Sequence, residues 1–363
     1  MYEYIIDDDA LAKFCERIAE ADWVAFDTEF VRESTYWPKL CLIQLADRHG
    51  LIACVDPLSG ATLDPLLDLV WRPGPTKVFH AASQDFEVLY RLRGPMTGPF
   101  FDTQIAAALL GDDDQIGYAA AVEAHTGIRL DKAHTRTDWS RRPLRDGELE
   151  YAADDVRHLP ALYDLLHAEL VARGRLEWAL AESAALADPA RYQPDPADAW
   201  KRVKGQRDID ATGYAALQQL AAWREEVAAV NDRPRRWIVG DEQLVALARS
   251  RPTDSAGVAA IDGMPAAVVR KHSARLVEIV QSAAAADGPA LTPGGPLDRA
   301  ERDRVDSMMK WLRKRAAELS IAPSMLATRR DIEALVRGEQ PRQLLDGWRR
   351  ELVGEDLLAM AGA

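Results

Sequence analysis

The run Trp23-Val24-Ala25-Phe26-Asp27-Thr28-Glu29 decides how the rest of the chain is read. Its first four residues are apolar, with aromatic and β-branched members, which is the pattern of a buried strand. Side chains of an extended segment alternate between faces, so Asp27 and Glu29 project from the same side. Two carboxylates held together at a strand end repel each other and lose hydration. A hard divalent cation such as Mg²⁺ or Mn²⁺ relieves both costs by binding their oxygens. With 58 acidic residues in 363, an isolated Asp-x-Glu pair is common, so the reading needs support from elsewhere in the chain.

Outward from this run, short apolar stretches predict further strands at 40–45, 51–55, 77–79 and 100–101. Helical patterns lie at 11–19, 63–71, 85–91, 103–110 and 118–125, with a long helix from 146 to 171. Clustered strands followed by strands alternating with helices indicate an α/β fold with a mixed sheet, which places ligands at strand ends. Beyond about residue 172 the β signal stops. Asp188-Pro189, Pro194-Asp195-Pro196 and the basic run Lys201, Arg202, Lys204, Arg207 read as a linker, and 288–296 as a second one. The remainder is Ala-rich and helical. Sliding it on itself by 88 residues superposes Trp223 on Trp311, Leu244 on Ile332, Ala246 on Ala334, Leu247 on Leu335 and Arg249 on Arg337, a pattern that suggests duplication.

Composition narrows the function. The net charge of −13 argues against a uniformly basic coat for nucleic acid. That acidity is local: residues 1–200 sum to −16, 201–290 to +2 and 291–363 to +1. The acidic start, with Glu3 and Asp7 to Asp9, fits neither a secretory signal nor a transit peptide, so a cytoplasmic protein is expected. No apolar run approaches the ~18 residues of a membrane span, which excludes transporters and receptors. Three cysteines without a CxxC support neither a disulfide framework nor a zinc site.

Two further stretches carry chemistry. Val78-Phe79-His80 leads through Ser83-Gln84 into a helix whose first turn holds Asp85, a residue that could equally serve as a helix cap. Tyr151 and Asp155 stand four apart in the long helix and share a face, whereas Asp154 lies about 100° round and reads as exposed. His80 is expected to be packed or hydrogen-bonded, Asp102 to cap the helix from Thr103, and Trp139 to pack.

Taken together and in order, Asp27-Thr28-Glu29, Phe79-His80 with Asp85, and Tyr151-x-x-x-Asp155 resemble the three exonuclease motifs of the DEDD superfamily in its tyrosine branch. Glu150 stands where the histidine branch carries its His. Gln115-Ile116-Gly117-Tyr118, Leu130-Asp131-Lys132 and Asp138-Trp139-Ser140-Arg141-Arg142-Pro143-Leu144 resemble the ribonuclease D group in particular. The helical half resembles two HRDC modules. The resemblance implies a ribonuclease H-like exonuclease domain at 1–200, a first HRDC domain at 208–288 and a second, HRDC-like domain at 297–363.

It further implies two divalent cations, Mg²⁺ or Mn²⁺, with Asp27 bridging both, Glu29 and Asp155 on the nucleophile-side ion, Asp85 assisting the other through water, and Tyr151 orienting the attacking water. The implied activity is 3′-to-5′ removal of nucleoside 5′-monophosphates from RNA with a free 3′ end, such as the trailers of tRNA precursors. No obligate protein partner is evident. Lys132, Arg141, Arg142, Arg235 and Arg236 are the candidates for phosphate contacts. Two other readings keep the architecture: an exonuclease acting on DNA in repair, and a catalytically idle RNA-binding scaffold.

Overall fold

In the computed structural model, which describes residues 1–130, 137–206, 209–285 and 297–362, the opening apolar run grows into a nine-residue strand. The strands are β1 (Glu3–Ile5), β2 (Trp23–Val31), β3 (Lys39–Ala46), β4 (Ile52–Val55), β5 (Thr76–Phe79) and β6 (Phe100–Asp102). They form one six-stranded sheet in the order β1-β4-β3-β2-β5-β6. β1 runs parallel to β4, β3 antiparallel to β4, and β2, β5 and β6 mutually parallel, so the sheet is mixed as the sequence predicts. β1 was not anticipated: three residues among acidic neighbours carry no periodicity. Ile5, buried and paired with Val55, is what places it.

Between and after the strands lie α1 (Asp8–Ile18), α2 (Asp64–Trp71), α3 (Ser83–Arg93), α4 (Thr103–Leu110), α5 (Tyr118–Thr126), α6 (Asp146–Arg157), α7 (Leu159–Ala172) and α8 (Leu176–Leu186). The expected single helix over 146–171 is therefore two helices meeting at His158. The cause is Pro160, which has no N–H to donate to the carbonyl of Val156 and cannot continue the helix. Trp23 and Ala25 pack with Ala152, Ala153 and Val156 of α6 and with Leu162 and Tyr163 of α7. Small residues at 152 and 153 let α6 approach the sheet closely. On the opposite face, Phe26 stacks on Phe79 at 5.5 Å and Phe79 meets Phe86 of α3 edge-on at 4.9 Å.

Past α8 the helices are α9 (Ala211–Val230), α10 (Arg235–Ile238), α11 (Asp241–Ser250), α12 (Ser255–Ala259), α13 (Ala266–Ala285), α14 (Arg299–Leu319), α15 (Pro323–Leu326) and α16 (Arg329–Val336), with short helices from Arg342 to Ala361. The starts of α9, α10 and α11 each recur 88 residues later as the starts of α14, α15 and α16. The chain divides into two compact units, one of Met1–Val31, Leu40–Pro189 and Leu297–Ala363, the other of Arg32–Lys39 and Ala190–Pro296. Residues 196–202, expected in a linker, form a 3₁₀ helix whose Trp200 is buried in the core of the second unit with Leu217, Leu220 and Leu244. Apolar burial overrode the Pro and Asp punctuation there. The second expected linker, 288–296, lies outside the described residues.

The C-terminal helices share a core with the sheet. Val305, Met308 and Leu312 of α14 belong to the same buried cluster as Ala106, Leu109 and Leu166. Polar contacts fix the junction. The Arg175 guanidinium donates to the carbonyls of Leu109 at 2.7 Å and Leu319 at 2.6 Å, and Ala322 N–H to Ala108 at 2.8 Å. Trp178 stacks on Trp348 at 4.8 Å, and Arg349 forks onto the Glu182 carboxylate, with one arm at 2.8 Å. Replacing Arg349 by Met should leave Glu182 partly buried without its cation and lower unfolding stability by about 2 kcal/mol in denaturant titration. A wild-type midpoint and slope for that variant would show the pair to be dispensable.

Candidate active site

The site assembles from β2 outward. The strand's alternation puts Asp27 and Glu29 on the face covered by α6, and Thr28 on the face toward α3. From α6 comes Asp155, one helical turn beyond Tyr151. Ligand oxygens of Asp27, Glu29 and Asp155 all lie within 4.8 Å of one another. Oxygens around a six-coordinate ion at about 2.1 Å stand at most about 4.2 Å apart, so a sub-ångström closure brings the three onto a shared cation.

Asp85 arrives from the other face. It is not a member of that trio, but it is buried, its Oδ1 accepts the Thr28 hydroxyl at 2.5 Å, and its charge bears on both Asp27 and Glu29. Thr28, flanked by the two strand carboxylates, is the member of the site that sequence reasoning missed. Its signal is its parity: the residue between two ligands must face the opposite side of the sheet, where α3 begins.

The turn that delivers Asp85 is itself pinned. The Asp102 carboxylate accepts from the N–H groups of Ala81 (3.1 Å) and Ala82 (2.9 Å) before α3, and from Gln104 (2.8 Å) in the first turn of α4. Ala81 adopts a left-handed backbone with φ of 59°, a conformation an L residue holds only when its surroundings impose it. Asp102 is thus the cap that the sequence suggested, and it also organises the neighbouring turn. His80 is bound on both nitrogens, to Thr103 Oγ1 at 2.8 Å and to the Ile116 carbonyl at 2.9 Å. Burial disfavours its charged form, Nε2–H donates to the Ile116 carbonyl, and Nδ1 faces Thr103 Oγ1, whose own hydroxyl donates to the Phe79 carbonyl at 3.0 Å. It is a structural histidine.

Electrostatics mark the cluster as incomplete. Burial, with Asp155 adding to it, drives the Asp27 carboxyl far above the usual range. Burial and the charges of Asp27, Asp155 and Asp85 raise Glu29 to about 10. Burial and Asp154 raise Asp155 to about 7, and Asp85 is raised by burial and Asp27. Among the described residues none of the four is paired with a Lys, Arg or His, although Asp154 and Glu150 next to them are both taken up by Arg157. Hard, mutually repelling oxygens, three carboxylates partly buried and Asp85 fully so, without a cationic partner fit divalent cations. Tyr151 stands half-buried beside the cluster, its ring stacked 6.3 Å from that of the buried Trp139. Burial and the charges of Asp155, Glu29 and Asp27 hold its phenol protonated above its ordinary range.

The basic candidates fare differently. All five N–H bonds of Arg142 are engaged: two to the buried Asp56 carboxylate at 2.6 Å and one each to the carbonyls of Trp139, Arg141 and Cys41. A side chain so saturated ties the loop to the end of β4, which removes Arg142 as a phosphate contact. Arg141 is forked onto the buried Glu148 at 2.8 and 2.9 Å, with much of its side chain still exposed. Arg235 is committed to Glu225 at 2.5 and 2.6 Å. Arg236 is exposed, and Lys132 lies outside the described residues.

A mixed sheet whose strand ends gather carboxylates from both faces is the frame of a metal-dependent 3′–5′ exonuclease. A family model described as 3'-5' exonuclease matches residues 2–171, and an HRDC domain model matches 214–280. Ribonuclease D of Acidiphilium cryptum is 39% identical over 98% of this chain and 91% of its own length. That of Sphingobium indicum is 38% identical over 98% and 93%. The crystal structure of Escherichia coli RNase D, described as an exoribonuclease involved in structured RNA processing, superposes with a TM-score of 0.87 at 33% identity, covering 100% of this chain and 99% of that one. The chain belongs to the ribonuclease D family and is a 3′–5′ exoribonuclease.

The raised carboxyls set a sign for stability. Where native groups hold protons that the unfolded chain has released, stability falls as pH rises, here from about pH 4 through the values near 7 for Asp155 and 10 for Glu29. Divalent cations remove that penalty. The gain in melting temperature on adding Mg²⁺ to metal-free protein should therefore be several-fold larger at about pH 8 than at about pH 5. A gain independent of pH would contradict the clustering of these carboxylates.

Proposed function

We propose that Asp27, Glu29, Asp85 and Asp155 hold two divalent cations, Mg²⁺ or Mn²⁺, and that this site trims the 3′ trailers of tRNA precursors and other structured RNAs. The observation that carries the reading is the convergence of three carboxylates within 4.8 Å, with a fourth beside them, and no cationic side chain to neutralise any of the four among the described residues. When bound, the cations supply a reactive hydroxide near neutral pH and stabilise charge on the departing 3′-oxygen.

The chain's own residues do the rest. Asp27, central to the electrostatics of the cluster, would contact both ions, Glu29 and Asp155 would hold the one on the nucleophile side, and Asp85, aligned by Thr28, would serve the other. Tyr151 keeps its proton at physiological pH, so its hydroxyl orients the attacking water as a hydrogen-bonding group and does not abstract a proton. Trp139 limits its ring movement.

We assign residues 1–200 to the exonuclease domain, 208–288 to an HRDC domain and 297–363 to a second, HRDC-like one. The 88-residue recurrence of helix starts supports the second module, even though its helices pack in one unit with the sheet. Among the described residues no helix is long and apolar enough to cross a membrane, and we place the activity in the cytoplasm.

Asp155→Asn removes a ligand charge from the cluster and should lower kcat by at least 10³-fold with the melting temperature kept, whereas Tyr151→Phe, which removes one hydroxyl, should cost about 10- to 100-fold. Single-turnover digestion of a 3′-extended tRNA precursor with Mg²⁺ or Mn²⁺ checks both. The reverse order of the two variants would overturn the assigned roles. Equal digestion of a matched DNA strand, or of RNA blocked at its 3′ end, would overturn the substrate reading.

A further inference from the structure

The joint between α6 and α7 holds a side chain that the carboxylate cluster does not account for. In a continuous helix the His158 N–H would donate to the carbonyl of Asp154, four residues back. Here it is directed to the phenolic oxygen of Tyr118 at 3.2 Å and to the Val156 carbonyl, and the Tyr118 hydroxyl in turn donates to the Asp154 carbonyl at 3.0 Å. One hydroxyl is therefore inserted into a rung of the helical ladder, accepting from one end and donating to the other. Such an insertion opens a helical turn.

The opened turn is the one that carries Asp155. The carboxylate of Asp154 is taken by Arg157 at 2.6 Å and its carbonyl by Tyr118, and Asp155 follows directly in the chain. The backbone from which Asp155 projects is thus held by a group outside α6. Pro160 already denies the Val156 carbonyl its usual donor, so the rungs from 154 to 158 and from 156 to 160 are replaced or lost together. The last turn of α6 then depends on the hydroxyl for its shape.

Tyr118 is itself anchored from elsewhere. It is the first residue of α5, and its ring meets that of His80 edge-on at 5.7 Å. His80 is bound at both ring nitrogens, Nε2 to the carbonyl of Ile116, two residues before Tyr118. The ring stands against the residue that follows β5 and the hydroxyl against the end of α6, which makes a strut between the strand leading to Asp85 and the helix carrying Asp155. Burial, opposed by the His158 N–H and helped by the charges of Asp155 and Asp27, raises the phenol above its ordinary range, so the hydroxyl keeps the proton it donates.

We propose that Tyr118 is a positioning residue for Asp155: by spanning the Asp154 carbonyl and the His158 N–H, its hydroxyl fixes the last turn of α6 so that the Asp155 carboxylate meets the divalent cations. Asp155 acts here as a ligand of those cations, the reading on which the role of Tyr118 rests. Tyr151, in the same helix, orients water, whereas Tyr118 acts through the backbone beside the ligand. A hydroxyl is required because only a group that donates and accepts at once fills both ends of the rung. Phe at 118 keeps the ring against His80 but leaves the rung to close directly, which shifts Asp155, or to stay unfilled, which loosens it.

The test is Mn²⁺ binding by the full chain without RNA, near neutral pH, followed by the electron paramagnetic resonance signal of the free ion. Tyr118→Phe should weaken binding at one of the two sites about tenfold, the size of effect expected when a partner that orients a metal ligand is lost. Asp155→Asn should weaken it at least as much, and adding Tyr118→Phe to Asp155→Asn should change it no further, since the hydroxyl acts through that carboxylate. With RNA present, kcat of Tyr118→Phe should fall at limiting Mg²⁺ and recover toward wild type at excess Mg²⁺, with KM for RNA unchanged. A side chain that served stability alone would lower the melting temperature and leave the Mn²⁺ midpoint of the folded protein where it was, which would overturn the proposal. So would an additive loss in the double variant. Melting curves give the folded fraction at the titration temperature, so a destabilised Tyr118→Phe is still read. Wild-type Mn²⁺ binding by Asp155→Asn is a different failure: it would remove the carboxylate site itself, and the role of Tyr118 with it.

Discussion

Four acidic side chains from three separate elements are held where each raises the energy of the others, and the surrounding fold exists to keep them there. At separations within 4.8 Å in a partly dry pocket, two carboxylates cannot both stay ionised unless positive charge joins them. The protein supplies no such charge among its described residues. Arg157, the nearest guanidinium on α6, is directed away to Asp154 and Glu150, and Arg141 and Arg142 are bound to Glu148 and Asp56. The deficit is what makes the cluster a receptor for divalent cations, and cations make an acidic domain able to accept a phosphodiester.

Holding the cluster requires rigidity on both faces of β2. On one, α6 approaches closely because Ala152 and Ala153 present little bulk, and the break at His158 ends that helix just beyond Asp155. On the other, Asp102 fixes the turn into α3, and Thr28 reaches across the strand to Asp85. The His80 hydrogen bonds to Thr103 and Ile116 tie β5 to the segment before α5. Each link is a buried or partly buried polar group hydrogen-bonded within the fold, and such networks stiffen it.

Much of this was legible in the sequence because it follows from short-range periodicity. Alternation in 23–29 put Asp27 and Glu29 on one face, the four-residue step put Tyr151 beside Asp155, and five of the six strands stood out as apolar runs. What was not legible depends on partners distant in the chain. The charge count at Arg142 suggested an RNA contact, but Asp56, 86 residues away, claims it. Trp200 sits among linker-like prolines and is recruited by a helix that begins eleven residues later. The C-terminal helices repeat a spacing visible in the sequence, yet their docking beside α4 and α8 depends on Arg175, Trp348 and Arg349, which no local pattern singles out.

The net negative charge of the chain is local: residues 1–200, which carry the carboxylate cluster, sum to −16, while the helical remainder is near neutral. The most direct test of the central claim is anomalous diffraction at the manganese edge from crystals of the protein grown with Mn²⁺. The account predicts two peaks about 3.5–4 Å apart, ligated by Asp27, Glu29 and Asp155, with Asp85 next to the second. Peaks located only outside this cluster, or none at millimolar Mn²⁺ near neutral pH, would contradict it.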